Sequence, residues 1–328
     1  MEWFEDVDPV ELTQFTREIV DAQDAAPDTL APILPNELVD DIQVEWTVSE
    51  RVNLLAKVRS YDTETPIASG GGAEQRVAKL PPLGLKQRFS EYEQLRRRAR
   101  NSPENVQAAA ERKGIEVGRA TLHRVQLMRG EVLQTGKLAF NENGVKLNVD
   151  FYRKPEFTKT AGTLWDAGAD PLRDLEAWME EFADENEDSA PDVLVVSRRI
   201  ANALRDGLVA KGYFGKDTVF VKNEDVNDVL TDRGLPALVV NDRKAGGQRL
   251  VSDDTLILAL AGQAGSTTWG TPVEVDEPEY QQMDPAEAPG LLVGAYKQND
   301  PAVKWIRANA IAMPVLANPN ASLAAKVL

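Results

Sequence analysis

The chain's 328 residues allow about two domains with a sizeable core, and its 42% hydrophobic and 27% charged residues exclude wholesale disorder. Lys and Arg number 37 against 53 Asp and Glu, a net charge of −16 that repels phosphate and argues against a dedicated nucleic-acid binder. Such a sign suits a container that encloses DNA without gripping it, and equally a surface that is merely soluble. The absence of cysteine excludes disulfide scaffolds, thiolate metal sites, iron–sulfur clusters and cysteine nucleophiles.

The first residues, Met1-Glu-Trp-Phe-Glu-Asp-Val-Asp, lack the basic and apolar regions of a signal peptide. The longest apolar run, Thr255-Leu-Ile-Leu-Ala-Leu-Ala-Gly262, is far short of the ~20 residues that span a membrane, so a soluble chain without membrane partners is expected. No internal repeat of fixed period is present.

Leu12, Phe15, Ile19 and Val20 recur at helical spacing over residues 9–24, and Pro27 and Pro32 end the pattern, giving a short helix at the head of an arm. Strict alternation from Ile42 to Val48 predicts a half-buried strand, and Asn53 to Tyr61 a second. The chain then crosses Pro66 and Gly70-Gly71-Gly72 and returns through residues 76–89. This reads as a long two-stranded projection whose tip has too few apolar residues to hold itself, so an outside surface is implied.

Ser102-Pro103-Glu104 starts a helix, and no proline recurs before Pro155. Val106, Ala110, Val117, Thr121, Val125, Met128 and Val132 keep one stripe to about Gly136, a helix about 50 Å long. Gly114, Gly118 and Gly130 weaken it and mark either a bend or a close crossing by a neighbour. Asn143-Gly144 predicts a tight hairpin.

After a boundary near 155–168, Asp170-Pro171 is expected to cap a helix burying Leu172, Leu175, Trp178, Met179 and Phe182. Strands at 193–196, 219–221 and 237–241 alternate with helices at 198–209 and 224–232, as in a compact α/β unit. Residues 290–296 and 302–316 read as strands that pair back onto the region of residues 90–155.

Chemistry-bearing patterns are incomplete. Lys211 to Thr218 lacks the first glycine and the hydroxyl of a phosphate loop. Ser197 lacks the flanking glycines of a nucleophile elbow and reads as a helix cap. The single histidine, His123, lies among Arg119, Arg124 and Arg129, which disfavour its charged form. Asp184-Glu-Asn-Glu-Asp188 lacks the glycine and closing glutamate of a calcium loop. No catalytic, cofactor or metal residue is assigned; an α/β enzyme built on residues 160–290 with Asp253 and Asp254 stays open as a competitor.

The charge is segregated. Arg76, Lys79, Lys86, Arg88, Arg96, Arg97, Arg98, Arg100, Arg112, Lys113, Arg119, Arg124 and Arg129 face few acids in the same stretch, whereas residues 166–188 are nearly all acidic. Opposite patches on one chain suit head-to-tail contacts between copies, and a solvated basic helix face explains them as well. The candidate contact residues are Arg76, Lys79, Lys86, Arg88, Arg96 and Arg97 against Asp174, Glu180 and Glu181.

Leu34-Pro-Asn-Glu-Leu-Val-Asp-Asp-Ile42, Leu80-Pro-Pro-Leu-Gly-Leu-Lys86, Ser90-Glu-Tyr-Glu-Gln-Leu-Arg96, Arg129-Gly-Glu-Val-Leu-Gln-Thr-Gly-Lys137, Ser266-Thr-Thr-Trp-Gly270 and Pro314-Val-Leu-Ala-Asn-Pro319 stand in this order. The chain thereby resembles the major capsid protein E family of tailed phages. The resemblance implies an α+β chain of the Hong Kong 97 capsid fold. Its parts would be an N-terminal arm (1–50), an extended loop (51–89), a peripheral domain with a spine helix (90–159), an axial domain (160–290) and C-terminal strands (291–328) returning to the peripheral domain.

It also implies a non-enzymatic head protein that assembles with itself into hexamers and pentamers of an icosahedral shell enclosing double-stranded DNA. A scaffolding protein, a portal and a decoration protein would be its partners, the virion its location and the host bacterial cytoplasm its place of assembly. An encapsulin-like compartment with the same fold is the nearer alternative. Lys79, Lys86 and Asn318 offer the residue types of a covalent cross-link, but a shell held noncovalently is expected.

Overall fold

The structure, a computed structural model, describes residues 7–49, 58–59, 61, 64, 73–92, 94, 103–214, 221–300 and 303–328. Two sheets are strung on one long helix. In chain order the elements are α1 (Pro9–Asp24), β1 (Asn36–Leu38), β2 (Gln43–Ser49), β3 (Ala73–Lys79), β4 (Pro82–Phe89), α2 (Pro103–Thr135), β5 (Lys137–Glu142), β6 (Val145–Asp150) and β7 (Thr158–Thr160). There follow α3 (Pro171–Glu185), β8 (Val193–Val196), α4 (Arg198–Ala210), α5 (Asn223–Asp232), β9 (Leu238–Val240), β10 (Lys244–Ala245), β11 (Gln248–Arg249), β12 (Thr255–Ala259), β13 (Ser266–Gly270), β14 (Leu292–Gln298), β15 (Val303–Val315) and β16 (Ser322–Lys326).

Helix α2 runs for 33 residues, and its buried side chains include Ala110, Val117, Val125, Met128 and Val132, one turn after another along the expected stripe. Along its length it packs against β4, β14 and β15 of one sheet and β12 and β16 of the other. Its glycines are close crossings. An added Cβ at Gly114 would stand 3.1 Å from Leu12, one at Gly118 2.6 Å from Thr16, and one at Gly130 1.9 Å from the carbonyl oxygen of Leu250. Helix α1 therefore lies directly on α2, burying Leu12, Thr13, Thr16 and Val20. The first helix, expected to head an arm, is docked in the body; Phe15, expected on its apolar face, is 38% exposed.

The first sheet has the order β1-β13-β15-β14, with β4 also paired to β15. On β15 the inner residues Ile306, Ala308, Ala310 and Ala312 are buried, and the small ones let α2 approach; Trp305, Arg307 and Asn309 alternate on the outer face. Strand β4 pairs with β15 over eight positions, from Phe89↔Lys304 to Pro82↔Ile311. Residues 82–89 thus belong to the sheet rather than to a free projection. The reason is the length of β15, which offers partners to β4, β14 and β13 together.

The second sheet, β7-β16-β12-β8-β9, is mixed: β12 runs antiparallel to β8 and β16, while β7 and β9 run parallel to their neighbours. Helix α3 buries Leu172, Leu175, Trp178 and Phe182, and α4 buries Ile200, Ala201, Leu204 and Leu208. Two expectations change here. Strand β16, expected with the other C-terminal strands beside residues 90–155, is an interior strand of this second sheet, because its Leu323, Ala324 and Ala325 are buried between β12 and β7. Asp170 precedes α3 but its carboxylate accepts no backbone N–H; it accepts the Tyr213 hydroxyl at 3.3 Å.

The hairpin β5–β6 turns on Asn143 (φ 49°) and Gly144 (φ 84°), both in the left-handed region that a two-residue turn of this twist requires. Strands β2 and β3 form a ribbon in register from Gln43↔Lys79 to Ser49↔Ala73. The strand expected over Asn53 to Tyr61, the Gly70-Gly71-Gly72 crossing and the strand expected at 219–221 lie mostly outside the described residues.

Candidate assembly surface

The ribbon β2–β3 is anchored at its base by its own chain. Trp46 and Arg76, directly paired across the strands, point to the same side. The Trp46 ring packs 5.6 Å from Phe151, and the Arg76 guanidinium lies 3.7 Å over the Tyr152 ring while pairing with Glu74 at 2.8 Å. Of the expected contact residues, Arg76 is therefore engaged at home, and Lys79, at the ribbon's base, is exposed.

Lys86 and Arg88 stand on β4, exposed on the outer face of the first sheet. Lys86 Nζ donates to the Tyr296 hydroxyl at 3.2 Å and sits 4.5 Å over the Trp305 ring, which in turn stacks on Tyr296 with centroids 6.3 Å apart. Arg88 is the cross-strand partner of Trp305. Arg96 and Arg97 lie outside the described residues.

The acids divide the same way. Asp174 accepts the Trp165 indole N–H at 3.0 Å, and burial, with Asp170 nearby, holds its carboxyl above the usual range. Glu181 pairs with Lys159, Glu185 with Lys154 at 2.6 Å, and Glu176 with Arg233 at 2.8 Å. Glu180 is exposed on the same helix. Several cations counted with the basic stretch are also engaged. Arg124 pairs with Glu142, Lys113 Nζ donates to the Arg88 carbonyl, and Arg129 is wholly buried. The basic excess of residues 76–129 is thus smaller at the surface than along the chain.

Two buried arginines tie the elements together, and residue counting misses both. Arg129 donates to Asp24 at 2.6 Å, Asn36 at 2.5 Å and Thr267 at 2.7 Å, joining α2 to the end of α1, to β1 and to β13. Arg153 donates to the Leu133 and Gln134 carbonyls at 2.6 and 2.8 Å and to Thr158 at 2.9 Å. It closes the last turn of α2, where cations are favoured, and burial lowers its pKa to about 10. A hint existed for Arg129: it falls in the stripe of Val125, Met128, Val132 and Leu133.

The competing carboxylates are also structural. Asp253 pairs with Arg249 at 2.9 Å. Burial alone would raise Asp254, but hydrogen bonds from Ser252, Lys326 and Thr255 outweigh it and hold the group at about 2, well below what a general acid needs. Ser197 Oγ accepts the Ile200 N–H at 3.1 Å and donates to the Asp253 carbonyl, so it caps α4 as expected. His123 is exposed; partial desolvation, then Arg119 and Arg243, lower its pKa. Among the described residues no group of three or more His, Asp or Glu is placed to hold a metal, and no helix is long and apolar enough to cross a membrane.

Two sheets on one spine helix, a two-stranded ribbon held on Phe151 and Tyr152, and exposed charge on the first sheet and on α3 fit a structural protein of the shell-forming class. The sequence matches the family model for phage major capsid protein E over residues 11–327, and the chain belongs to that family. The fold is of the Hong Kong 97 capsid type, and the role is that of a major capsid protein in the phage virion.

Three solved structures carry the likeness of fold. A protein assigned as the capsid protein of a prophage in E. coli CFT073 superposes with TM-score 0.60 at 14% identity, covering 96% of this chain and 99% of the other. A phage-related protein from Bordetella bronchiseptica RB50 gives 0.60 at 13%, covering 97% and 96%. The mature capsid of bacteriophage PhiM1 gives 0.52 at 12%, covering 90% and 85%. No curated protein sequence matches the chain.

Proposed function

We propose that copies of this chain close into an icosahedral shell of hexamers and pentamers around double-stranded DNA, which the shell encloses without reading its sequence. The observation that carries this is the architecture itself: two sheets packed on one 33-residue helix, with β2 and β3 paired as a ribbon outside both sheets. The first sheet with α2 serves as the peripheral domain, and the second sheet with α3, α4 and α5 as the axial domain around which subunits converge. The axial span expected over residues 160–290 gives up β13 (Ser266–Gly270), which pairs in the first sheet. The projection led by β2 and β3 overlies a neighbouring copy.

Contacts between copies are noncovalent and use the charges the chain leaves exposed: Lys79, Lys86 and Arg88, with Arg96 and Arg97 beyond the described residues, against acids of α3 such as Glu180. Arg76, Asp174 and Glu181 contribute indirectly, by fixing the elements that carry those charges. A scaffolding protein, a portal and a decoration protein complete the assembly in the bacterial cytoplasm, and no step of it requires catalysis by this chain.

Electron microscopy of the purified chain, alone and with its scaffold, tests this. Closed shells or hexamers that weaken as salt rises are expected. A monomer under all conditions overturns the reading, a ladder of covalent species on a denaturing gel overturns the noncovalent contact, and particles holding protein cargo and no DNA move the chain to the encapsulin type.

A further inference from the structure

The outer face of the first sheet already binds an acidic segment of its own chain. Glu277 pairs with Arg307, the Glu274 carboxylate accepts from Asn309 Nδ2, and an added Cβ at Gly294 would stand 2.2 Å from the Tyr280 hydroxyl, so residues 274–280 lie flat on the strands. Elsewhere on that face the same chemistry has no such cover among the described residues. Lys86 and Arg88 are exposed there, and no carboxylate pairs with either among the described residues. Lys86 is held in place across the Trp305 and Tyr296 rings, so less side-chain entropy remains to be lost when it meets a partner.

The rings argue against bases as that partner. One face of Trp305 is taken by Tyr296 and Lys86 lies over the ring, which leaves no open platform for stacking. Carboxylates are the remaining complement, and the chain holds a set that it does not neutralise itself. Among the acids of α3, Asp174, Glu176, Glu181 and Glu185 have partners at home, whereas Glu180 and Asp184 are exposed and form no ion pair among the described residues. They lie four apart on the helix, about 6 Å along its axis, which matches the roughly 6.6 Å between Lys86 and Arg88 two apart on a strand.

We propose that Lys86 and Arg88 of one copy dock Glu180 and Asp184 of a second copy. This deepens the shell reading and rests on it. The chain has no cysteine, so Arg88→Cys with Glu180→Cys introduces the sole thiols, and Arg88→Cys with Asp206→Cys serves as control. Mild oxidation of assembled particles should give disulfide-linked oligomers on a denaturing gel from the first pair and not from the control. Separately, Lys86→Glu with Arg88→Glu, and Glu180→Lys with Asp184→Lys, should each lower particle yield by about tenfold or more, and the four changes together should restore it.

Wild-type chain that forms no particles sinks the shell reading. Particles that form without the cross-link, or a fourfold variant no better than its parents, sink this pairing alone. Normal assembly of the Lys86→Glu, Arg88→Glu variant with reduced packaged DNA overturns it in favour of phosphate contact.

Discussion

Arg129 Nη1 lies 2.6 Å from Asp24 Oδ1, and the two side chains are 0% and 2% exposed. An ion pair so deeply buried is maintained because hydrogen bonds surround it: Gln126 donates to Asp24, and Asn36, which accepts from Arg129, also accepts from the Trp269 indole. Removing one member strands the other charge. Arg129→Ala should cost about 3–5 kcal/mol of unfolding free energy, and Arg129→Met with Asp24→Leu should cost less than the single change. Urea unfolding of the three proteins measures this; equal losses in both variants would contradict it.

Gly130 in an open helix would gain about 1 kcal/mol on replacement by alanine. Here the new Cβ would meet the Leu250 carbonyl at 1.9 Å, a backbone atom that cannot swing aside. Gly130→Ala should instead lower stability by about 1–3 kcal/mol. A rise in melting temperature would show that the crossing of α2 by residue 250 is looser than this.

Arg153→Met removes the donors that serve the Leu133 and Gln134 carbonyls at the end of α2. The expected loss is about 1–3 kcal/mol, and Arg153→Lys should recover only part, since one ammonium cannot reproduce the fork. Full recovery by lysine would mean that charge alone closes the helix.

Asp254 has a folded pKa of about 2, depressed from the ordinary carboxylate value near 4 by its hydrogen bonds. A depressed carboxylate stabilises the fold above its unfolded pKa, and this contribution is lost as pH falls from about 4 to 2. Denaturant titrations across that window should show the decline in the wild type and a shallower one in Asp254→Asn. Parallel curves would remove Asp254 as its source.

Elements marked by local chemistry were readable directly. Ser102-Pro103 and the long gap before the next proline announce α2, Asn143-Gly144 the hairpin turn, and Ser197 the start of α4, because caps, turns and periodicity act within a few residues. The candidate surface was legible only as a list of charges. Lys86 and Lys113 look alike along the chain, yet one faces outward over two rings and the other reaches back to the Arg88 carbonyl.

By itself, then, the sequence determines helix lengths, turns, the absence of thiol chemistry and, through its ordered motifs, the capsid family. Only the tertiary structure decides which charges are left exposed, where β4 and β16 pair, and that Arg129 is an internal tie. These depend on residues far apart in the chain, as Arg129 is from Asn36 and Thr267 by 93 and 138 positions, and pairing over such separations leaves no local trace.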